Sequence, residues 1–80
     1  MQESIIFYGD GTADIVKKSM ISGKFNMLTM QLTKEQFDKW YIHRELIQIA
    51  LPHLSDNERE FLKTGITSEE WDATFKEEND

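Results

Sequence analysis

The chain has 80 residues, a formal net charge of −6 and no cysteine, and 30% of its residues are charged. A chain of this length predicts one domain, residues 1–80, with a small apolar core. Without cysteine it can form neither disulfides nor thiolate zinc sites. Its acidity argues against general binding to nucleic acid or to anionic membranes, because such binding requires clustered Lys and Arg.

No stretch of the sequence approaches the ~20 apolar residues of a membrane-spanning helix. The first residues, MQESIIFYGDG, contain an apolar run of only four residues and no basic flank, which is not typical of a signal peptide. We therefore expect a soluble, cytoplasmic protein that does not bind a membrane.

Two segments of the N-terminal third have strand character. Ser4–Tyr8 is rich in β-forming residues and stops at the turn signal Gly9-Asp10-Gly11. Phe25–Leu32 alternates loosely between two faces, which predicts a strand with both faces partly covered. We expect these two strands to pair with each other in a small sheet.

The segment Thr12–Ser22 between the two strands is compatible with two structures. Ala13, Val16 and Met20 lie at helical spacing, so we favour a short helix, which would make the flanking strands parallel. The β-branched Ile15 fits a strand instead, and a strand here would make the sheet an antiparallel meander.

Three capping boxes mark the starts of helices in the C-terminal two-thirds of the chain. Thr33, Ser55 and Thr67 are each followed three residues later by Gln or Glu. In this pattern two side chains satisfy the free amides of the first helical turn. Pro52 is expected to end the first helical segment and Gly65 the second.

These signals predict an α+β fold, in which a two- or three-stranded sheet in residues 1–32 is packed by about three short helices in residues 33–75. Residues 76–80 are expected to form a solvated acidic tail. The sequence also allows a break in the first helical segment, near His43-Arg44. Phe61 and Leu62 are the expected buried pair of the next helix.

Charge is distributed unevenly along the chain. Residues 1–54 hold 6 acidic and 6 basic side chains, whereas residues 55–80 hold 9 acidic and 3 basic ones, so the whole net charge lies in the last third. An acidic surface can meet a basic surface of a partner protein, and aromatic residues are enriched in binding hot spots. The candidate partner-binding residues are Glu58, Glu69, Glu70, Trp71, Asp72 and Phe75.

The sequence contains no recognisable catalytic or metal-binding set. His43 and His53 match no metal-ligand spacing and have a simpler explanation as solvated residues. Paired carboxylates such as Glu69 and Glu70 are explained by their position in the first turn of a helix. We therefore expect no enzymatic activity, no cofactor and no metal.

Lys17, Lys18 and Lys24 form the only basic cluster of the sequence. An alternative hypothesis is therefore a small nucleic-acid or nucleotide binder that uses these lysines, and a third is a minor structural protein of a virion. Three lysines on a helix or loop more commonly serve solubility, so nucleic acid is not the favoured partner.

The segment from Trp40 to Phe75 resembles a recurring segment of small uncharacterised bacteriophage proteins. The stretches that carry the resemblance are Trp40, Leu46-Ile47-Gln48, Pro52-His53-Leu54-Ser55, Glu58-Arg59-Glu60-Phe61-Leu62, Gly65-Ile66-Thr67 and Glu69-Glu70-Trp71-Asp72. A tight glycine-containing turn follows the tryptophan in such proteins, where this chain has Tyr41-Ile42-His43-Arg44. The resemblance implies a phage or mobile-element origin, and hence the host cytoplasm, but no particular activity.

We therefore expect a non-catalytic accessory protein that binds a host or phage protein through an acidic helical face and modulates it. The hypothesis requires that Glu69, Glu70 and Asp72 point outward, so that reversing their charges leaves the fold intact. Trp40 and Tyr41 fit either the core or an interface. A homo-oligomer is also compatible with the sequence, since small domains often gain stability by association.

Overall fold

The computed structural model describes residues 2–76, and side chains through residue 74. Within these residues, three strands are followed by four helices, which confirms the predicted α+β class. The elements are β1 Ser4–Phe7, β2 Thr12–Lys18, β3 Phe25–Gln31, α1 Lys34–Tyr41, α2 Ile47–Ala50, α3 Asp56–Thr64 and α4 Ser68–Lys76. None of the described helices has the length and apolar content that crossing a membrane requires.

The strands form an antiparallel meander in the order β1-β2-β3. β2 pairs with a neighbour on each side, so that Ile15 lies opposite Ile5 in β1 and Leu28 in β3. These three residues share one face of the sheet, because side chains across an antiparallel ladder point the same way. That face contacts the helices.

The favoured helix at Thr12–Ser22 is wrong, because most of this segment forms the central strand β2. Ala13 and Ile15 are buried at the two-residue spacing of a strand, whereas Met20 is 75% exposed and belongs to no buried helical stripe. The expected direct pairing of β1 with β3 is wrong for the same reason, since β2 lies between them. The alternative, an antiparallel meander, is confirmed.

One hydrophobic cluster joins the inner face of the sheet to the helices. Phe61 of α3 has no exposed surface, and Leu62 beside it is also buried, as expected. Burial of such a side chain contributes about 1.5–3 kcal/mol. The buried members of the cluster are Ala13, Ile15, Met30, Leu32, Ala50, Leu51, Leu54, Phe61 and Leu62.

All three predicted capping boxes are present. In each, the N-cap hydroxyl accepts a hydrogen bond from the third helical amide, and the side chain of that third residue accepts one from the N-cap amide. The pairs are Thr33 with Gln36, Ser55 with Glu58 and Thr67 with Glu70. The starts of α1, α3 and α4 are therefore fixed by local sequence.

A break near His43-Arg44, which the sequence allows but does not require, separates α1 from α2. The amides of Ile42 and His43 both donate to the carbonyl oxygen of Asp38, at 2.8 and 3.0 Å. Arg44 has a φ of 62°, the left-handed conformation that glycine adopts most easily. The break therefore forms in this chain without a glycine.

Candidate partner-binding groove

The hydrogen bonds at the two ends of β3 show which of its backbone groups pair with β2. The amide of Leu32, just after β3, donates to the carbonyl of Gly11 at 3.0 Å. Just before β3, the carbonyl of Lys24 accepts from the amide of Ser19 at 2.8 Å. Because pairing alternates along an antiparallel strand, even-numbered residues of β3 bond to β2 and odd-numbered ones face away.

The outer edge of β3 therefore presents the backbone N–H and C=O groups of Phe25, Met27 and Thr29. In the described sheet no strand pairs with this edge. At its far end, the carbonyl oxygen of Gln31 lies 2.6 Å from Nε2 of His53. Among the residues that the structure describes, the free edge thus extends over Phe25, Met27 and Thr29, and His53 covers its Gln31 end.

Three features that commonly protect an exposed strand from pairing are missing from this edge. Edge strands are commonly protected by charged residues, proline or a bulge. The sequence of β3, FNMLTMQ, contains no charged residue and no proline. It also pairs residue for residue with β2, without a bulge.

A groove of about 500 Å³ lies beside the edge, between β3 and the starts of α3 and α4. Met27 and Thr29 of β3 line one side of it. Glu58 of α3 and Glu69 of α4 line the other side. The capping boxes place both acids in first helical turns, so their positions follow from the helix starts.

The two carboxylates in the groove are held differently. One oxygen of Glu58 accepts the amide of Ser55 at 2.9 Å, which fixes the side chain at the groove. Glu69 is exposed and makes no hydrogen bond or ion pair with the side chains described. The groove therefore carries one positioned carboxylate and one that is available to a partner.

The carboxylate of Glu70, unlike that of Glu69, is engaged by hydrogen bonds within the chain. It accepts hydrogen bonds from the hydroxyl of Ser22 at 2.6 Å and from the side-chain amide of Asn26 at 3.0 Å. These bonds, the one from Ser22 above all, lower the pKa of Glu70 to about 2. Glu70 is therefore a structural residue that joins α4 to the sheet.

The other predicted contact residues of α4 lie in different surroundings. Asp72 is exposed and lies one helical turn from Glu69, so both belong to the same side of the helix. Trp71 is half-buried, and its amide donates to the carbonyl of Thr67. The side chain of Phe75 and the predicted acidic tail lie outside the side chains that the structure describes.

Two further acids of α3 are neutralised within the helix. Asp56 lies 3.2 Å from Arg59, and Glu60 lies 3.6 Å from Lys63. Such exposed pairs contribute little to stability, but they reduce the charge that a partner meets. Of the acids described in the C-terminal third, Glu58, Glu69 and Asp72 therefore dominate the surface beside the groove.

Two of the three lysines of the alternative hypothesis lie on opposite faces of the sheet. Lys17 and Lys18 are neighbours in β2, so their side chains lie on opposite faces of the sheet. Lys17 lies 3.9 Å from Glu3, which offsets its charge. Lys24 lies outside the strand, in the connection to β3.

The aromatic residues of α1 divide between core and surface. Phe37 contacts Trp40 and Tyr41, with ring centroids 5.7 and 5.1 Å apart. Trp40 is half-buried against the hydrophobic cluster, whereas Tyr41 is 64% exposed. Trp40 is thus mainly a packing residue.

Sequence reasoning missed the free edge of β3. The signal that reveals it is the uncharged, proline-free composition of Phe25–Gln31, which matters only once the strand order places β3 at the edge. Within the part of the chain that the structure describes, no group of three or more His, Asp or Glu side chains is able to hold a metal ion. No protein-family model, curated protein or solved structure matches the chain.

Proposed function

We propose that this protein is a non-catalytic binding protein that holds a basic surface of a partner protein in the groove between β3, α3 and α4. The observation that carries the proposal is the position of Glu58 and Glu69 opposite a free, uncharged strand edge. Charge on one side and unpaired backbone groups on the other are features of a binding surface rather than of a closed core.

Electrostatics favours a positively charged partner. Asp72 extends the acidic side of the groove by one helical turn, and the chain as a whole has a net charge of −6. Such a field accelerates association with a basic partner and suppresses binding of acidic ones. The attraction is screened over about 8–10 Å at physiological ionic strength, so binding should weaken as salt is added.

The resemblance of Trp40–Phe75 to phage proteins supports an accessory role in an infected cell. On this proposal the partner is a host or phage protein in the host cytoplasm, and binding modulates its activity. No cofactor or metal takes part.

A pair of matched double variants tests the proposal. Glu69→Lys with Asp72→Lys reverses the charge beside the groove, and Glu35→Lys with Glu45→Lys makes the same charge change on exposed residues elsewhere. Glu35 and Glu69 both occupy the second position of a helix that a threonine caps, so these two substitutions perturb their helix starts alike. Glu45 lies in the connection between α1 and α2 and matches Asp72 in charge and exposure only. Glu70 is left unchanged because it holds the fold together.

The measurement is affinity capture from bacterial lysate, with quantitative mass spectrometry of what is retained. We expect a partner that wild type and the Glu35/Glu45 variant capture equally and that the Glu69/Asp72 variant loses. Equal capture by both variants would show that the acidic groove is not the binding surface.

A further inference from the structure

We infer that the partner contributes an extended, basic segment, which pairs with the free edge of β3 as a fourth strand and places Lys or Arg side chains beside Glu58 and Glu69. This inference rests on the proposed function and adds to it the mode of binding and the chemistry of the bound segment.

The backbone of β3 supplies the template for such pairing. Phe25, Met27 and Thr29 direct their N–H and C=O groups to the free edge, where an added strand would satisfy them. The edge has no bulge, no charged residue and no proline, so nothing in its sequence opposes a new strand. Main-chain hydrogen bonds of this kind provide affinity, and neighbouring side chains provide specificity.

The two carboxylates define the side-chain pattern of the segment. Glu58 lies towards Thr29, since both also border a second depression near His53. Glu69 lies towards Asn26, which bonds the adjacent Glu70. Asn26 and Thr29 are about 10 Å apart along the strand, and alternate side chains of an added strand repeat about every 7 Å. The difference of about 3 Å is within the reach of long, flexible Lys or Arg side chains, so basic residues at alternate positions can approach both carboxylates.

Charge also argues against a second copy of this chain as the occupant of the β3 edge. A second copy of this chain would bring another net charge of −6, and pairing two β3 edges would place the acids of the two grooves close together. The edge is therefore suited to a basic segment of another protein.

A peptide of alternating Lys and Val, with blocked ends and the length of β3, is a defined probe. Its binding to wild-type protein is followed by calorimetry and by hydrogen exchange of the Met27 and Thr29 amides. Met27→Pro removes one outward N–H without removing a bond to β2, and Met27→Ala, which keeps that N–H, is its control. Met27 is 62% exposed, so neither substitution opens the core.

We expect the peptide to protect the Met27 and Thr29 amides from exchange. We also expect Met27→Pro to weaken peptide binding by about tenfold or more relative to Met27→Ala, because one backbone hydrogen bond to the added strand is lost and the strand is aligned less well. A peptide of the same sequence that is N-methylated at every residue, and so has no N–H group on either edge, should also fail to bind wild-type protein. This second arm leaves the protein unaltered, so it remains decisive if Met27→Pro does not fold.

The outcomes separate this inference from the proposed function. If Glu69→Lys weakens peptide binding more than Glu35→Lys does, while N-methylation and Met27→Pro have no effect, the acidic groove binds but the added strand is wrong. If the Glu69→Lys and Glu35→Lys variants bind the peptide equally well, the proposed function is wrong as well. A dimer of the free protein that Met27→Pro converts to a monomer would identify a second copy as the occupant and overturn the inference.

Discussion

The carboxylate of Glu70 in α4 accepts a 2.6 Å hydrogen bond from the hydroxyl of Ser22, 48 residues earlier in the chain. The same carboxylate accepts bonds from the side chain of Asn26 in β3 and from the amide of Thr67, the N-cap of α4. One side chain therefore starts α4 and also attaches it to the sheet. Because Glu69 is the preceding residue, its place in the groove depends on this attachment.

We expect Glu70→Gln to destabilise the protein by about 1–2 kcal/mol, because hydrogen bonds to a charged acceptor become bonds to a neutral amide. In a domain of this size the loss should lower Tm by roughly 4–8 °C per kcal/mol. The control is Glu69→Gln, an exposed neighbour, whose effect should stay within about 0.5 kcal/mol. Thermal and urea unfolding of both variants measure the difference, and equal stabilities would contradict the structural role of Glu70.

The pKa of Glu70 predicts how stability depends on pH. In the folded protein it is about 2, below the ordinary value of 4.5, so the unfolded chain binds this proton first as pH falls. The contribution of Glu70 is therefore complete above about pH 4.5 and is lost as the pH approaches 2. The difference in unfolding free energy between wild type and Glu70→Gln should shrink over this range. A difference that stays constant from pH 6 to the acid limit would contradict the assignment.

Gly65 ends α3 at a place where only glycine fits. Its φ is 74°, and a Cβ there would lie 2.7 Å from the carbonyl carbon of Lys18 at the end of β2. Gly23 has the same φ, yet a Cβ on it would have an ordinary contact at 3.9 Å. The two glycines therefore separate backbone strain from steric contact.

We expect Gly23→Ala to cost about 1–2 kcal/mol, the strain of a left-handed residue with a side chain. Gly65→Ala should cost clearly more, because β2 and α3 would also have to move apart. Chemical denaturation of the two variants provides the comparison. Similar losses for both would show that the junction between α3 and β2 adapts easily.

Local chemistry made the helix starts predictable, and long-range contacts made β2 unpredictable. Each capping box, such as Thr33 with Gln36, lies within four residues, so the sequence alone identifies it. In β2, Ala13 and Val16 fit a helical stripe while Ile15 fits a strand. Pairing with a neighbour on each side decides the outcome, and local sequence does not contain that information.

The candidate site was predictable only in its charge. Glu69 and Glu70 are adjacent acids in the same helical turn, yet one faces solvent and the other the sheet. What distinguishes them is the position of Ser22 and Asn26, 48 and 44 residues from Glu70. The groove itself depends on the strand order, because β3 has a free edge only when β2 is central.

The placement of Lys17 and Lys18 on opposite faces of the sheet predicts the outcome for nucleic acid. Labelled single-stranded and double-stranded DNA and RNA should show no salt-sensitive binding at low ionic strength, since phosphate binding needs several cations on one surface. Substituting Lys17, Lys18 and Lys24 by Ala should then change nucleic-acid binding no more than the control does, in which Lys34 and Lys39 are substituted by Ala.

A mobility shift that weakens steeply with salt and disappears in the triple variant, but persists in the control, would contradict this prediction. Such a result would require Lys17 and Lys18 to bind together although their side chains lie on opposite faces of β2. A strong twist of the strand, which turns both side chains towards one edge, is one way to achieve this. The lysine-based alternative would then replace the acidic groove as the main binding surface, because a nucleic acid approaching Glu58 and Glu69 would be repelled.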